Sequence, residues 1–411
     1  MTRHLFAGAL ALSLIVLTGC STNDSVSRSA AGAQDEESSV ATGEQWVVSL
    51  GDSIISGEAG RWAGNQTGST NAIDALGSSA YHDGAGGETI NRCHRSQSAP
   101  IHIGDVSSMN LACSGARTGT RVDESGDFKP GIDFFNKGDR KGQALLLEEF
   151  AANHPVRMVA LSIGANDFRY GPTIEQCVKA YLAPAVFGKY CKDNETVQGY
   201  VNGAAQEQVL SDTTTAILNI ATAMENAGYQ DSDWTLGVQL YPNLIENPSN
   251  MRYPESGYKR QLEGGCGFRN DDVSWWAQDT FMPLLNNNLR QAVQAARSER
   301  PTLAVVVMDA SKAFGGRTLC SSEVDRVAGD RGVSNWQEPD AVDRSEWAME
   351  INIVNPKDTY QQESMHPNYW GQLALRSCWR QVFNGGEVRG GTCQRSGEGL
   401  NDRGEPNMVL Q

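Results

Sequence analysis

A short apolar strand that ends in a glycine turn constrains the fold more than any other part of the chain. Residues 46–50 read WVVSL, and Gly51, Asp52 and Ser53 follow directly. A near-continuous apolar run of this length predicts a strand buried on both faces, as in a parallel sheet. Sites in open α/β sheets lie beyond the carboxyl ends of the strands, so Ser53 is a candidate site residue. Taken alone, the turn is better explained as a strand end whose serine caps a helix.

Apolar runs and helical spacing alternate along the rest of the chain. Further strands are predicted at 109–113, 156–163, 234–240 and 303–308, and helices at 142–152, 207–227, 275–296 and 369–383. Strands separated by helices predict parallel pairing, with helices on both faces of the sheet. We therefore expect an α/β fold, a three-layer α/β/α sandwich with a central parallel sheet of about five strands.

The N-terminus has the pattern of a bacterial export signal. Arg3 precedes an apolar core at 5–17, and small residues lead to Cys20 in a sequence, LTGC, that resembles a lipobox. An ordinary secretory signal cleaved nearby is the alternative. We predict a lipoprotein signal peptide at 1–20 with Cys20 lipidated, a flexible tether at 21–44, and one domain with long loop insertions at 45–411. The expected location is the bacterial cell envelope, extracytoplasmic and lipid-anchored.

The net charge limits the possible partners, and the cysteine content agrees with export. The formal net charge is −15, which argues against nucleic acid as a partner. There are nine cysteines, so lipidation of Cys20 would leave an even number, which indicates disulfides in an exported chain. Counting alone does not give the connectivity.

Four segments carry polar residues in a fixed order along the chain. They are VVSLGDSIISG with Ser53, NLACSGA with Gly115, LSIGANDF with Asn166, and ESMHPNYWGQ with His366. Together these segments resemble the SGNH, or GDSL-type, serine hydrolases, over most of the chain from residue 46 to about residue 383. Cys93-His94-Arg95 and the run CSGA at 113–116 resemble the secreted, disulfide-containing branch of actinobacterial esterases and lipases.

The resemblance implies a flavodoxin-like sheet and a role for each motif residue. Ser53 would be the nucleophile and His366 the base, since a serine hydroxyl is a poor nucleophile until an imidazole takes its proton. The backbone N–H groups of Ser53 and Gly115 and the amide of Asn166 would form the oxyanion hole. The remaining histidines lie in loops or at segment edges without such a motif context.

The third catalytic residue departs from the family pattern. The family usually has Asp three residues before the histidine, where this chain has Glu363. A glutamate can orient the imidazole, although its longer side chain changes the reach, so Glu363 is the predicted third member. Asp358 and a backbone carbonyl are the alternatives.

The resemblance also favours sequential pairing of the cysteines, which closes mostly short loops. The predicted disulfides are Cys93–Cys113, Cys177–Cys191, Cys266–Cys320 and Cys378–Cys393.

The sequence thus predicts an extracytoplasmic serine ester hydrolase, an esterase or lipase that forms an acyl-enzyme on Ser53. No Gly-x-Ser-x-Gly elbow, Walker loop or His-Glu-x-x-His motif is present, and no metal or other cofactor is expected. The partners expected are an ester substrate, either a lipid or an acylated carbohydrate, and a membrane through the N-terminal lipid only; we expect a monomer. A carbohydrate deacetylase, an acyltransferase or a non-catalytic binding lipoprotein are the alternatives, because loops decide specificity.

Overall fold

The computed structural model describes residues 43–67, 72–184, 189–324, 335–352 and 362–411. The predicted signal peptide, Cys20, the predicted tether up to residue 42, and Asp358 lie outside the described residues. Within the described part of the chain, no helix is long and apolar enough to span a membrane.

Seven strands form one sheet in the described residues, and four short strands form two small ribbons. The strands are β1 Trp46–Gly51, β2 Ser107–Asn110, β3 Arg121–Val122, β4 Phe128–Lys129, β5 Asn136–Lys137, β6 Arg140–Lys141, β7 Val156–Ser162, β8 Thr235–Gln239, β9 Val305–Asp309, β10 Gly391–Leu400 and β11 Pro406–Leu410. The sheet order is β2-β1-β7-β8-β9-β10-β11, parallel throughout except for the final β10–β11 pair. The first five positions of this order are the five parallel strands that the sequence predicts.

Helices flank the sheet. They are α1 Ser53–Ser56, α2 Gln143–Ala151, α3 Tyr170–Leu182, α4 Glu195–Val201, α5 Gly203–Asn226, α6 Lys259–Leu262, α7 Asn270–Ser274, α8 Phe281–Glu299, α9 Ala341–Arg344 and α10 Tyr369–Phe383, with a π-helical turn at Trp275–Asp279. Helix α5 packs against α2 and α8, while α10 packs against β9, β10 and β11. The predicted three-layer α/β/α arrangement is confirmed.

The register of the central strands brings the polar motif segments to one edge. Val48 of β1 pairs with Met109 of β2 on one side and with Val159 of β7 on the other. Because all three strands are parallel, their carboxyl ends lie side by side. The loops that follow them, with Ser53, Gly115 and Asn166, therefore start from the same edge of the sheet.

The structure contains the four disulfides that the sequence predicts. The Cys93–Cys113 bond joins a long loop to the segment after β2, and the Cys378–Cys393 bond joins α10 to β10. The Cys266–Cys320 bond closes the longest interval, a separation of 54 residues. In the chain-entropy model such closures stabilise the fold mainly by restricting the unfolded chain.

Candidate active site

The turn after β1 fixes Ser53 at the start of α1. Gly51 has a φ of +133°, and a Cβ at this position would lie 2.0 Å from the carbonyl oxygen of Ser162 in β7. Only glycine fits such a close approach. Asp52 then caps α1, because its Oδ1 accepts from the backbone N–H of Ile54 at 3.1 Å. The tight turn therefore follows from Gly-Asp-Ser itself.

Two side chains from other elements hold this turn. Gln143 of α2 accepts from the N–H of Gly51 at 2.7 Å and donates to its carbonyl at 3.0 Å. The hydroxyl of Tyr241, which follows β8, donates to Asp52 Oδ2 at 2.5 Å and accepts from the N–H of Ala165 at 3.1 Å. Burial raises the pKa of Asp52 to about 7, against the opposing effect of the Tyr241 hydrogen bond. The residue before Ser53 is thus a buried structural carboxyl.

His366 lies directly beside Ser53. Its Nε2 is 2.6 Å from Ser53 Oγ, and its Nδ1 is 3.0 Å from the carbonyl oxygen of Ser364. A carbonyl can only accept, so Nδ1 carries the proton and Nε2 is free to take one from the serine. Burial lowers the pKa of His366 below its ordinary value, which keeps the ring neutral. The structure brings the predicted nucleophile and base together, and their catalytic roles remain predictions.

The expectation that the Glu363 carboxylate orients the imidazole is wrong. That carboxylate accepts from the hydroxyl of Tyr81 at 2.5 Å and from Nε1 of Trp62 at 2.8 Å. Met365 lies in the left-handed region, with φ 54°, and in this turn the Ser364 carbonyl is the hydrogen-bond acceptor of Nδ1. A backbone carbonyl, one of the two alternatives, therefore orients the ring.

The predicted oxyanion residues lie around the same cavity as Ser53 and His366. Gly115 has a φ of +78°, which favours glycine. Asn166 donates one of its two amide N–H groups to the carbonyl of Ala116 at 2.9 Å, which fixes the direction of the side chain. The next residue, Asp167, accepts from the Thr118 hydroxyl at 2.9 Å. These bonds join the loop after β7 to the loop after β2, so the two predicted donors are held together.

A cavity of about 900 Å³ lies above the serine. One wall is helix α3, whose lining residues Tyr170, Ile174, Val178 and Leu182 are spaced four apart and so share one helix face. This apolar stripe is roughly 18 Å long at 1.5 Å per residue. Lys129 lies close by, with its pKa lowered by burial. This wall is suited to an extended apolar group, while charged side chains, among them Glu175 and Lys179 of the same helix, line other parts of the cavity.

A buried polar network that was not predicted from the sequence lies beside His366. His94 Nδ1 is 2.7 Å from Glu58 Oε1, and the His94 ring stacks on Tyr81 with 4.3 Å between centroids. Burial raises the pKa of Glu58, but the lowering effects together outweigh it, chiefly the charge and hydrogen bond of His94, so the net shift is downward. Burial and the Glu58 charge raise the pKa of Glu363 to about 7. Glu58 and His94 therefore form a buried ion pair; His94 has the partner that its sequence context does not reveal.

Three side chains are close enough together to hold a metal ion. One possible ligand atom from each of Glu58, His94 and Glu363 lies within 4.8 Å of the other two. Both carboxylates already accept hydrogen bonds from protein donors, however, including Gln362 on Glu58 Oε2 at 2.9 Å. We therefore describe this cluster as a hydrogen-bonded network and assign no metal to it.

Comparisons with known proteins find similarity only among solved structures. No family model matches the chain, and no curated protein matches it. An extracellular lipase from Streptomyces rimosus is 15% identical over 83% of this chain and 99% of its own, with a TM-score of 0.43. A phospholipase A1 from Streptomyces albidoflavus is 16% identical over 84% and 99%, with the same TM-score. An acetyl xylan esterase from Butyrivibrio proteoclasticus is 11% identical over 83% and 64%, with a TM-score of 0.35.

The chain is similar to SGNH-type serine hydrolases. That similarity rests on its motif residues, which the fold brings to one edge of the sheet, and on the contact between Ser53 and His366.

Proposed function

We propose that the protein is an extracytoplasmic carboxylic ester hydrolase that forms an acyl-enzyme on Ser53. One observation carries the proposal: Ser53 Oγ lies 2.6 Å from His366 Nε2, on a cavity that Gly115 and Asn166 also line. A serine hydroxyl becomes a useful nucleophile when a positioned base takes its proton.

The geometry supports the following sequence of steps. His366 Nε2 takes the Ser53 proton while Oγ attacks the ester carbonyl carbon, and the carbonyl oxygen becomes negative. The N–H groups of Ser53 and Gly115 and the amide of Asn166 donate to that oxygen. His366 then gives its proton to the departing alkoxide, which leaves the acyl group on Ser53. Water, deprotonated by His366, attacks the acyl carbon, the bond to Ser53 Oγ breaks, and His366 returns the proton to Oγ as the acid leaves. Throughout, the Ser364 carbonyl holds the Nδ1 proton.

The cavity favours esters with an extended apolar acyl chain. The stripe formed by Tyr170, Ile174, Val178 and Leu182 starts next to the catalytic pair, since Tyr170 has its ring centroid 6.4 Å from that of His366. Burial of each CH₂ group along such a wall contributes about 0.8 kcal/mol to binding. A deacetylase needs only a small acyl pocket, so the length of this wall supports a lipid-like ester.

Export and lipid anchoring are part of the proposal. Four disulfides agree with folding in an oxidising compartment, and Cys20 ends the predicted export signal. Replacing Cys20 with Ala should release the protein from membranes or block its processing. Unchanged processing and membrane attachment would disprove lipidation.

The test of function is hydrolysis of nitrophenyl esters of increasing chain length by the purified protein. We expect activity to rise with chain length, and Ser53→Ala to lower kcat by about a million-fold while circular dichroism stays unchanged. A fluorophosphonate should label the wild type on Ser53. A folded Ser53→Ala protein with full activity would overturn the proposal. Product formation that requires an added alcohol acceptor would indicate an acyltransferase instead.

A further inference from the structure

We propose that Glu58 is a positioning residue for catalysis: it joins the segments that carry Ser53, Gly115 and His366, and its charge supports the imidazole. The inference rests on the proposed serine-hydrolase function. In that mechanism His366 becomes positive, yet the acceptor at its Nδ1 is the neutral carbonyl of Ser364. A neutral acceptor orients the ring but offers no full charge to balance the imidazolium.

Glu58 is linked to all three catalytic segments. Its backbone N–H donates to the carbonyl of Ser53 at 3.2 Å. Its Oε2 accepts from Nε2 of Gln362, four residues before His366, at 2.9 Å. Its Oε1 bonds to His94, and the carbonyl of the preceding Cys93 accepts from the N–H of Ser114, the residue before Gly115, at 3.0 Å. Loss of this single side chain would therefore loosen both the oxyanion segment and the histidine turn.

The charge of Glu58 is buried close to the site. The side chain is 0% exposed, and the hydrogen bond from His94 at 2.7 Å keeps it ionised. Burial lowers the pKa of His366, and the charge of Glu58 is the largest influence that raises it again. The titratable side chains that face Glu58 are His94, His366, Glu363, Tyr81 and Lys129. Among them His94 opposes the effect of Glu58 on His366, but more weakly.

The alternative is that Glu58 and His94 form an ion pair that only stabilises the fold. The stabilising role and the positioning role predict different pH profiles of activity after Glu58 is replaced. A stabilising pair changes the melting temperature and leaves the ionisation of His366 alone. A positioning carboxylate raises the pKa of His366, so its removal must lower the pH at which activity falls on the acid side.

The experiment measures kcat, KM and the pH profile of kcat/KM for the full chain on one soluble nitrophenyl ester. We expect Glu58→Gln to lower kcat roughly tenfold to a hundredfold, with KM nearly unchanged, as for a small misplacement of reacting groups. The acid limb of its pH profile, where activity falls because His366 becomes protonated, should move to lower pH. Glu58→Asp, which keeps the charge, should restore the position of the acid limb. His94→Asn, which removes the imidazolium that keeps Glu58 ionised, should move the limb to lower pH, as Glu58→Gln does, because the lost effect of Glu58 on His366 is larger than that of His94.

Glu246→Gln is the matched control. Glu246 is also a buried glutamate that accepts a hydrogen bond, from the Thr318 hydroxyl at 2.8 Å, but it does not line the cavity. It should leave the acid limb in place. If Glu58→Gln folds, labels with a fluorophosphonate and has a wild-type acid limb and kcat, the positioning role is refuted while the hydrolase proposal stands. If Glu58→Gln does not fold, an unmoved acid limb in His94→Asn refutes the role equally. Loss of labelling in the wild type would refute the proposed function instead.

Discussion

The carboxyl of Asp52 makes the turn that precedes Ser53 a source of pH-dependent instability. Asp52 is 0% exposed, and burial raises its pKa from 3.8 to about 7. In the folded protein it therefore holds its proton more tightly than in the unfolded chain. Its contribution to stability is fully present below about pH 4 and is lost as the pH rises to about 7. Asp52→Asn keeps a side-chain oxygen for the Ile54 N–H but removes the ionisation.

The size of the effect follows from the two pKa values. The rise in the pKa of Asp52 from 3.8 to about 7 corresponds to a loss of roughly 4 kcal/mol in the free energy of unfolding above pH 7. At pH 5 only part of this is expressed, so the stability of Asp52→Asn relative to wild type should increase by about 2.5 kcal/mol between pH 5 and pH 8.

Urea unfolding at these two pH values, with the disulfides intact, measures the difference. Tyr241→Phe provides a second test, because the Tyr241 hydroxyl donates to Asp52 at 2.5 Å and lowers the pKa of Asp52. Without that donor the loss of stability between pH 5 and pH 8 should exceed that of the wild type. If Asp52→Asn differs from wild type by the same amount at both pH values, the buried-carboxyl argument is incorrect.

Three further predictions concern the site. Asn166→Ala should lower kcat by about a hundredfold to a thousandfold, as for one oxyanion donor, and an unchanged kcat in steady-state assays would remove it from that role. Gly51→Ala should lower the free energy of unfolding, measured by urea denaturation, by about 2–5 kcal/mol, because the new Cβ would lie 2.0 Å from the carbonyl oxygen of Ser162. The control is Gly119→Ala, where a Cβ has open space, and it should change stability far less. Val178→Asn should reduce kcat/KM for long-chain nitrophenyl esters about tenfold more than for the acetate, and an equal reduction for both would argue against the acyl wall on α3.

Strands β1 and β7 could be predicted because most of their residues are apolar, whereas β2 reads SSMN and begins two residues before the predicted strand. Strands β1 and β7 read WVVSLG and VRMVALS, and buried parallel strands need such runs on both faces. The C-terminal hairpin was missed for the opposite reason. Strand β10 reads GTCQRSGEGL, in which glycine and polar residues hide the alternation that predicts a strand.

The site was predictable where backbone geometry requires a particular residue. Gly51 and Gly115 have left-handed φ values, so their motifs carry structural information. The position of Glu363 carries less structural information. It lies three residues before His366, but this separation does not determine the direction of its side chain, because the turn includes Met365 in the left-handed region. The Glu58–His94 pair joins residues that are 36 apart, and only the folded chain reveals it.

The Cys93–Cys113 bond links the redox state of the surroundings to the geometry of the catalytic site. Cys93 precedes His94, and the N–H of Ser114 donates to the Cys93 carbonyl at 3.0 Å, so one covalent link holds both the partner of Glu58 and the segment of Gly115. A chain in a reducing compartment would lack this link, and its ion pair and oxyanion segment would be free to separate. If the protein is exported as proposed, oxidation of this cysteine pair would complete the assembly of the proposed active site.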